Sequence, residues 1–248
     1  MSNYKIYPTL LDTWVRYLNS DIDAESFSNL DEGGAYRLTP DQIADARMED
    51  LLNCINRVPK ETTEKQALGT AFNEIIDRII KSSDKDYSPI IDVTIDKYNF
   101  QFDRDNCVAI AKTFENSLSQ YYCSANLKTQ YGDVELYGYA DEILLDKVYD
   151  IKTTSRYTFG KYENGTQKDL YPYCLVESGE MQTCTSFTYS VFVPKSNRGA
   201  ILMSSYSEEY TYNHEKSTAR LRELCEGLIY WIETHRPLIT NKKIFGYE

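Results

Sequence analysis

The sequence predicts an α/β fold in which a mixed β-sheet is flanked by α-helices, and three observations predict it. Apolar residues recur at helical spacing through most of the first 120 residues. From Tyr121 the period shortens to alternation, in runs of strand length, and helical patterns return near residue 170 and after residue 213. The composition agrees: 42% hydrophobic and 26% charged residues over 248 positions supply a proper core and exclude a disordered or fibrous chain.

The first helix is predicted from Pro8 to Leu18, with Leu10, Leu11, Trp14, Val15 and Leu18 at helical spacing. A loop follows through Asp31-Glu32-Gly33-Gly34. Thr39-Pro40-Asp41-Gln42 then offers an N-cap, a proline in the first turn and a capping-box glutamine, opening a helix through Leu51, Leu52 and Ile55 that stops before Pro59. Thr63-Glu64-Lys65-Gln66 repeats that logic. The third helix gathers Leu68, Phe72, Ile75, Ile76, Ile79 and Ile80 on one face. Gly69 in its first turns costs about 1 kcal/mol relative to alanine, which points to close approach by another element. A fourth helix is predicted near Asp105 to Gln120, presenting Val108, Ile110, Phe114 and Leu118.

Residues 121–130, 134–145 and 148–153 read as consecutive strands, with turns at Tyr131-Gly132-Asp133 and Asp146-Lys147. A short helix spans Gln167 to Leu175. Strands near 185–193 and 200–206 flank a turn from Pro194 to Gly199, and a last helix runs from Lys216 to Thr234. The expected organisation is one domain over 1–248: a helical part to residue 120, a sheet core at about 121–206 and a C-terminal helix at 213–235.

Composition also bounds the function. No uncharged apolar run approaches the ~18–20 residues of a membrane span, and the opening residues lack a signal core, so an intracellular protein with no membrane partner is expected. The six cysteines, at 54, 107, 123, 174, 184 and 225, show no Cys-x-x-Cys spacing and read as buried thiols; neither zinc nor an iron–sulfur cluster is expected. With only His214 and His235, any metal is held by oxygen, which favours Mg2+ or Mn2+. The net charge of −11 argues against a broad basic nucleic-acid surface but leaves room for a narrow groove.

The chemistry concentrates between Gly138 and Thr154. With Asp146-Lys147 as a two-residue turn, Leu145 pairs with Val148, Asp141 lies opposite Lys152, and Ile143 lies opposite Asp150. Asp150 and Lys152 point to one face, and Asp141 shares it. Two carboxylates and an ammonium converge. A hard divalent cation between such carboxylates, keeping water and a substrate phosphate in its other positions, is the part list for phosphodiester hydrolysis. The plain alternative is a cross-strand ion pair contributing about 0.2–1 kcal/mol.

The ordered set resembles the PD-(D/E)XK nuclease superfamily, in its RecB-like and lambda-exonuclease-like branch. Gly138-Tyr139-Ala140-Asp141 matches the family's Gly-x-x-Asp strand, Asp150-Ile151-Lys152 its Asp/Glu-x-Lys strand, and Gln167-Lys168-Asp169-Leu170-Tyr171 its Gln-x-x-x-Tyr helix. The resemblance implies a restriction-endonuclease-like core and an Mg2+- or Mn2+-dependent DNA nuclease, an exonuclease of recombination or repair type that leaves a 5′-phosphate. It makes Asp141 and Asp150 metal ligands, the Ile151 carbonyl a third, Lys152 the catalytic lysine, and Gln167 and Tyr171 organisers of the site or contacts to the DNA strand. The implied partners are linear double- or single-stranded DNA and a recombination protein.

The first family element departs from the pattern. Gly69-Thr70-Ala71-Phe72-Asn73 places Asn73 where the family often has a histidine ligand, with Asp77 one turn on. Asn73 is better aimed at the sheet than Glu74, and an amide oxygen is a weaker magnesium ligand than a carboxylate. Around the site, Lys147, Arg156, Lys161 and Lys168 would form a local positive rim or an ordinary solvated face. Three readings stand beside the nuclease: a catalytically degenerate nuclease fold that binds nucleic acid, a protein-interaction subunit, and an RNA-directed nuclease.

Overall fold

The protein is described from a computed structural model over residues 4–20, 38–81, 88–197 and 199–246. The loop expected at Asp31–Gly34 lies outside the described residues. Helix α1 (Pro8–Leu18) buries Leu10, Leu11, Trp14 and Val15. Helices α2 (Pro40–Ile55) and α3 (Glu64–Ile80) both start in full capping boxes, Thr39 with Gln42 and Thr63 with Gln66, so two orphan amides of each helix are satisfied by sequence-local bonds. α3 buries Ala67, Ala71, Phe72, Ile75 and Ile76.

Three strands interrupt the segment expected to be helical: β1 (Tyr4–Ile6), β2 (Ile90–Ile95) and β3 (Tyr98–Asp103). Helix α4 (Arg104–Ala111) is half as long as its pattern implies. After a 3-10 turn the chain takes a left-handed step at Asn116 (φ 67°), and by Leu118 it is strand. The reason is tertiary: β4 (Leu118–Thr129) pairs along nearly its whole length with β5 (Gly132–Leu144), and that ladder outweighs the helical spacing of Phe114 and Leu118. The remaining elements are β6 (Lys147–Thr153), α5 (Gln167–Glu177), β7 (Ser186–Asn197), β8 (Ala200–Thr211) and α6 (His214–Thr234).

Among the described residues eight strands form one mixed sheet in the order β1-β5-β6-β7-β8-β3-β2, with β4 also on β5. The pairs β1–β5, β6–β7 and β3–β8 are parallel and the others antiparallel. Helices α1, α5 and α6 cover one face around Leu10, Leu170 and Leu221; α3 and α4 cover the other around Phe72, Ile75 and Phe102. All six cysteines are free, and five are buried. Among the described residues no helix is long and apolar enough to cross a membrane.

The hairpin registers differ from those expected. Thr129 pairs with Gly132, so the β4–β5 turn is residues 130–131. β7 and β8 extend through the predicted turn, Pro194 pairing with Met203 and Asn197 with Ala200. Between β5 and β6, Leu144 pairs with Lys147 and Ile143 with Val148, so the turn is Leu145-Asp146 rather than Asp146-Lys147. Core packing selects this register. Val148 and Ile143 are both buried and belong opposite each other, whereas Leu145, 88% exposed at φ 56°, stands out in the turn. Ile143 is therefore not opposite Asp150, nor Asp141 opposite Lys152; extending the pairing sets Asp141 against Asp150. The displacement is two residues, which preserves facing parity.

Candidate active site

The site grows from a fork in the sheet. β4 occupies one edge of β5, so both other neighbours share the second edge: β1 at Val134–Leu136 and β6 at Glu142–Leu144. Between them, residues 137–141 of β5 pair with neither strand. Asp141 fills the end of this gap. Its Oδ2 accepts the backbone N–H of Ile151 on β6 at 2.7 Å, and its Oδ1 accepts Gln120 Nε2 at 3.1 Å. Gln120 itself sits at φ 52°, a local kink in β4 opposite Asp141.

A strand residue directs its N–H and C=O to the same edge. With the Ile151 N–H on Asp141, the Ile151 carbonyl also faces the gap, while its side chain is buried in the α3 core. On either side of Ile151, Asp150 and Lys152 form an ion pair, Nζ to Oδ2 at 2.7 Å. Gln167 Nε2, from the first turn of α5, donates to Asp150 Oδ1 at 2.6 Å, and lies 3.4 Å from the Tyr171 hydroxyl. Asp141, Asp150, Ile151, Lys152, Gln167 and Tyr171, chosen from three separate motifs, thus meet at one place.

Two glycines make the meeting possible. A Cβ on Gly138 would lie 2.7 Å from the Tyr171 ring and 3.3 Å from Pro8; one on Gly69 would lie 2.8 Å from Thr153 Oγ1 at the end of β6. Gly69 fixes where α3 crosses the sheet. One turn further, Asn73 lies on the same helix face, between this crossing and Asp77, which is beside Glu142 of β5. Its Oδ1 is buried and has no hydrogen-bond donor. Glu74 is exposed, as its place on the wheel predicts.

Electrostatically the site is short of positive charge. Burial, and next the charge of Asp150, push the Asp141 carboxyl up to about 7. Burial raises Asp150 as well, more than Lys152 draws it down. For Lys152 burial works against the charged form, but Asp150, Asp141 and Asp12 outweigh it and hold the ammonium protonated. Behind Asp141, burial pushes Glu142 up to about 6 even though Ser117 and Ser119 donate to its Oε2 at 2.6 and 2.9 Å. Among the described residues no group of three or more His, Cys, Asp or Glu side chains could hold a metal. The oxygens that meet here are two carboxylates and one carbonyl, a set of the kind magnesium accepts when water and substrate complete its shell.

Three contributors carry no sequence signal. Asp12 of α1, whose charge bears on Asp150 and Lys152, accepts Thr166 N–H and Oγ1–H at 2.7 Å each. Gln120 and the Tyr189 ring, 5.8 Å from Lys152 Nζ, arrive from distant strands. Glu142 was adjacent to a motif residue and could have been singled out. The four basic residues that were read as a rim or a solvated face divide: Lys147 stands at the far end of β6, paired with Glu209 at 3.2 Å, and Lys168 lies over the Tyr210 ring. Only Arg156 and Lys161, joined through the Arg156 carbonyl, follow Lys152 out of β6.

No family model matches the sequence, and neither does any curated protein. Among solved structures the chain is similar to the crystal structure of SSO0001, with 10% identity, a TM-score of 0.45, and coverage of 93% of this chain and 78% of that one. It is also similar to Rai1 of Scheffersomyces stipitis, with 14% identity, a TM-score of 0.28, and coverage of 94% and 62%. Both scores are too low to carry a functional assignment.

Proposed function

We propose that the protein is a divalent-metal-dependent DNA nuclease, of exonuclease type, built on a restriction-endonuclease-like core of the PD-(D/E)XK kind. One observation carries this reading: Asp141 bonds the Ile151 amide inside the fork, while Asp150 is held between Lys152 and Gln167. An ordinary surface ion pair needs neither the fork nor a half-buried glutamine on its carboxylate.

The residues fit Mg2+ or Mn2+. Asp141, Asp150 and the Ile151 carbonyl would hold it, with Asn73 Oδ1 as a further oxygen still lacking a partner. When bound, the ion lowers the pKa of water and neutralises charge developing on a phosphoryl oxygen. Lys152 keeps its proton and places a fixed positive charge beside the scissile phosphate. Gln167 fixes the rotamer of Asp150, and Tyr171 backs Gln167 while packing against Gly138. Asp141 ties β5 to β6, so both carboxylates move as one unit.

The test is to incubate the protein with end-labelled linear and closed circular DNA, in magnesium, manganese or chelator. Linear DNA should shorten from its ends only with a divalent ion, and circular DNA should persist. Loss of DNA in chelator, or none with either metal, would overturn the reading. One observation favours a degenerate binding module instead: Asn73 supplies an amide where the family often has an imidazole. In that case wild type binds DNA without cutting it, and Asn73→His gains manganese-dependent cleavage.

A further inference from the structure

Beside the fork, on the surface around β1, β5 and α2, lie two hollows of about 280 and 450 Å³. Tyr7 and Arg57 line both, so they form one continuous groove. Among the described residues its charged lining is Lys5, Arg16, Arg47, Arg57, Lys60 and Lys243 against Asp50 and Glu135. Lys60 answers Asp50 at 3.1 Å and Lys5 answers Glu135 at 3.4 Å, so that, Arg47 aside, Arg16, Arg57 and Lys243 give a surplus of three positive charges among the described residues. In a chain of net charge −11 that is a local reversal of sign.

The groove also carries aromatic faces. At its waist the Arg57 guanidinium sits 4.8 Å from the centre of the Tyr7 ring and donates to the Tyr137 hydroxyl. Tyr122 and Tyr139, with ring centres 5.3 Å apart in an edge-to-face pair, are 45% and 58% exposed. Tyr139 is two residues from Asp141 on β5, and α1 supplies both the groove (Thr9, Thr13, Arg16) and Asp12 at the site. Positive charge tracks a phosphate backbone, and rings stack on bases that are not already paired. A duplex hides its base faces, and an acidic peptide has none to offer.

We infer that this groove binds single-stranded DNA and leads it to the fork. The choice of DNA rests on the nuclease reading above; the groove itself stands apart from it.

The full chain is tested in chelator, so that nothing is cut, against labelled dT20, rU20, a 20-base-pair duplex and a polyglutamate peptide. dT20 should bind most tightly. Arg16→Gln/Arg57→Gln/Lys243→Gln, all at exposed positions, should lower the slope of log K against log salt by about 2, since each strand contact contributes ~0.7. Tyr122→Ala/Tyr139→Ala should weaken dT20 binding by ~5–100-fold with little change in slope. Unchanged binding by both groove variants, or duplex or peptide bound as tightly as dT20, would overturn the proposal; tighter rU20 would overturn the assignment to DNA. If the groove variants lose dT20 while wild type cuts nothing with metal, the groove stands and the nuclease reading falls. If wild type cuts and the groove variants bind and cut unchanged, the reverse holds.

Discussion

Lys152 and Asp141 make opposite demands on a proton, and each can be tested alone. Lys152→Ala should lower metal-dependent cleavage by ~10²–10³ while leaving DNA binding largely intact. In the proposed reaction its charge would act on the transition state, and one lysine among several supplies little of the sequence-independent affinity. Equal losses in cutting and binding would make it a binding residue only. Asp141, raised to about 7, and Glu142, raised to about 6, sit above their unfolded values chiefly because burial penalises the anion. A raised pKa contributes stability that is fully present below about pH 4 and lost as pH rises through 6–7. In chelator the melting temperature should therefore fall from pH 5 to pH 8, and Asp141→Asn should flatten that fall. A melting temperature that climbs over the range would refute the assignment. At this scale the motif residues were legible, because each has a type and spacing tied to chemistry. Asp12 and Gln120 were not, since nothing local distinguishes them from any surface aspartate or glutamine.

Among the elements, the glycines are the informative contacts. Gly138→Ala would press a methyl into the Tyr171 ring and Pro8, and overpacking of this kind costs typically 1–3 kcal/mol. Urea denaturation should show that loss. Tyr171→Ala alone leaves a cavity, yet in the double variant the new methyl has room, so the two losses should sum to more than the loss measured together. Additive losses would mean that strand and helix do not meet there. Capping boxes foretold the starts of α2 and α3 because their bonds are local. The β5–β6 register did not follow from the turn residues. It was decided by Ile143 and Val148 sharing a buried position, and a two-residue displacement kept the carboxylates on one side.

Metal should register in the stability of the whole molecule. A ligand that binds only the native state stabilises it by about 2.7 kcal/mol at a hundred times its Kd. Magnesium or manganese should raise the melting temperature, more at pH 8 than at pH 6, because the carboxylates must lose their protons to bind. Asp150→Ala should abolish the increment and, in chelator, relieve the repulsion on Asp141. An undiminished response in that variant would place the ion elsewhere.

What the sequence determined by itself is the α/β class, most helices, and the order of the three motifs, since periodicity and capping act over a few residues. Strands β1, β2 and β3 escaped because each is short and is stabilised by partners far along the chain. Tertiary structure decided the fork: β1 and β6 share one edge of β5, and neither pairs with residues 137–141. No local pattern encodes that gap, because it exists only once three distant strands have chosen the same edge. It is the gap that lets Asp141 bond the backbone of Ile151 and turns an acidic pair and a lysine into a site.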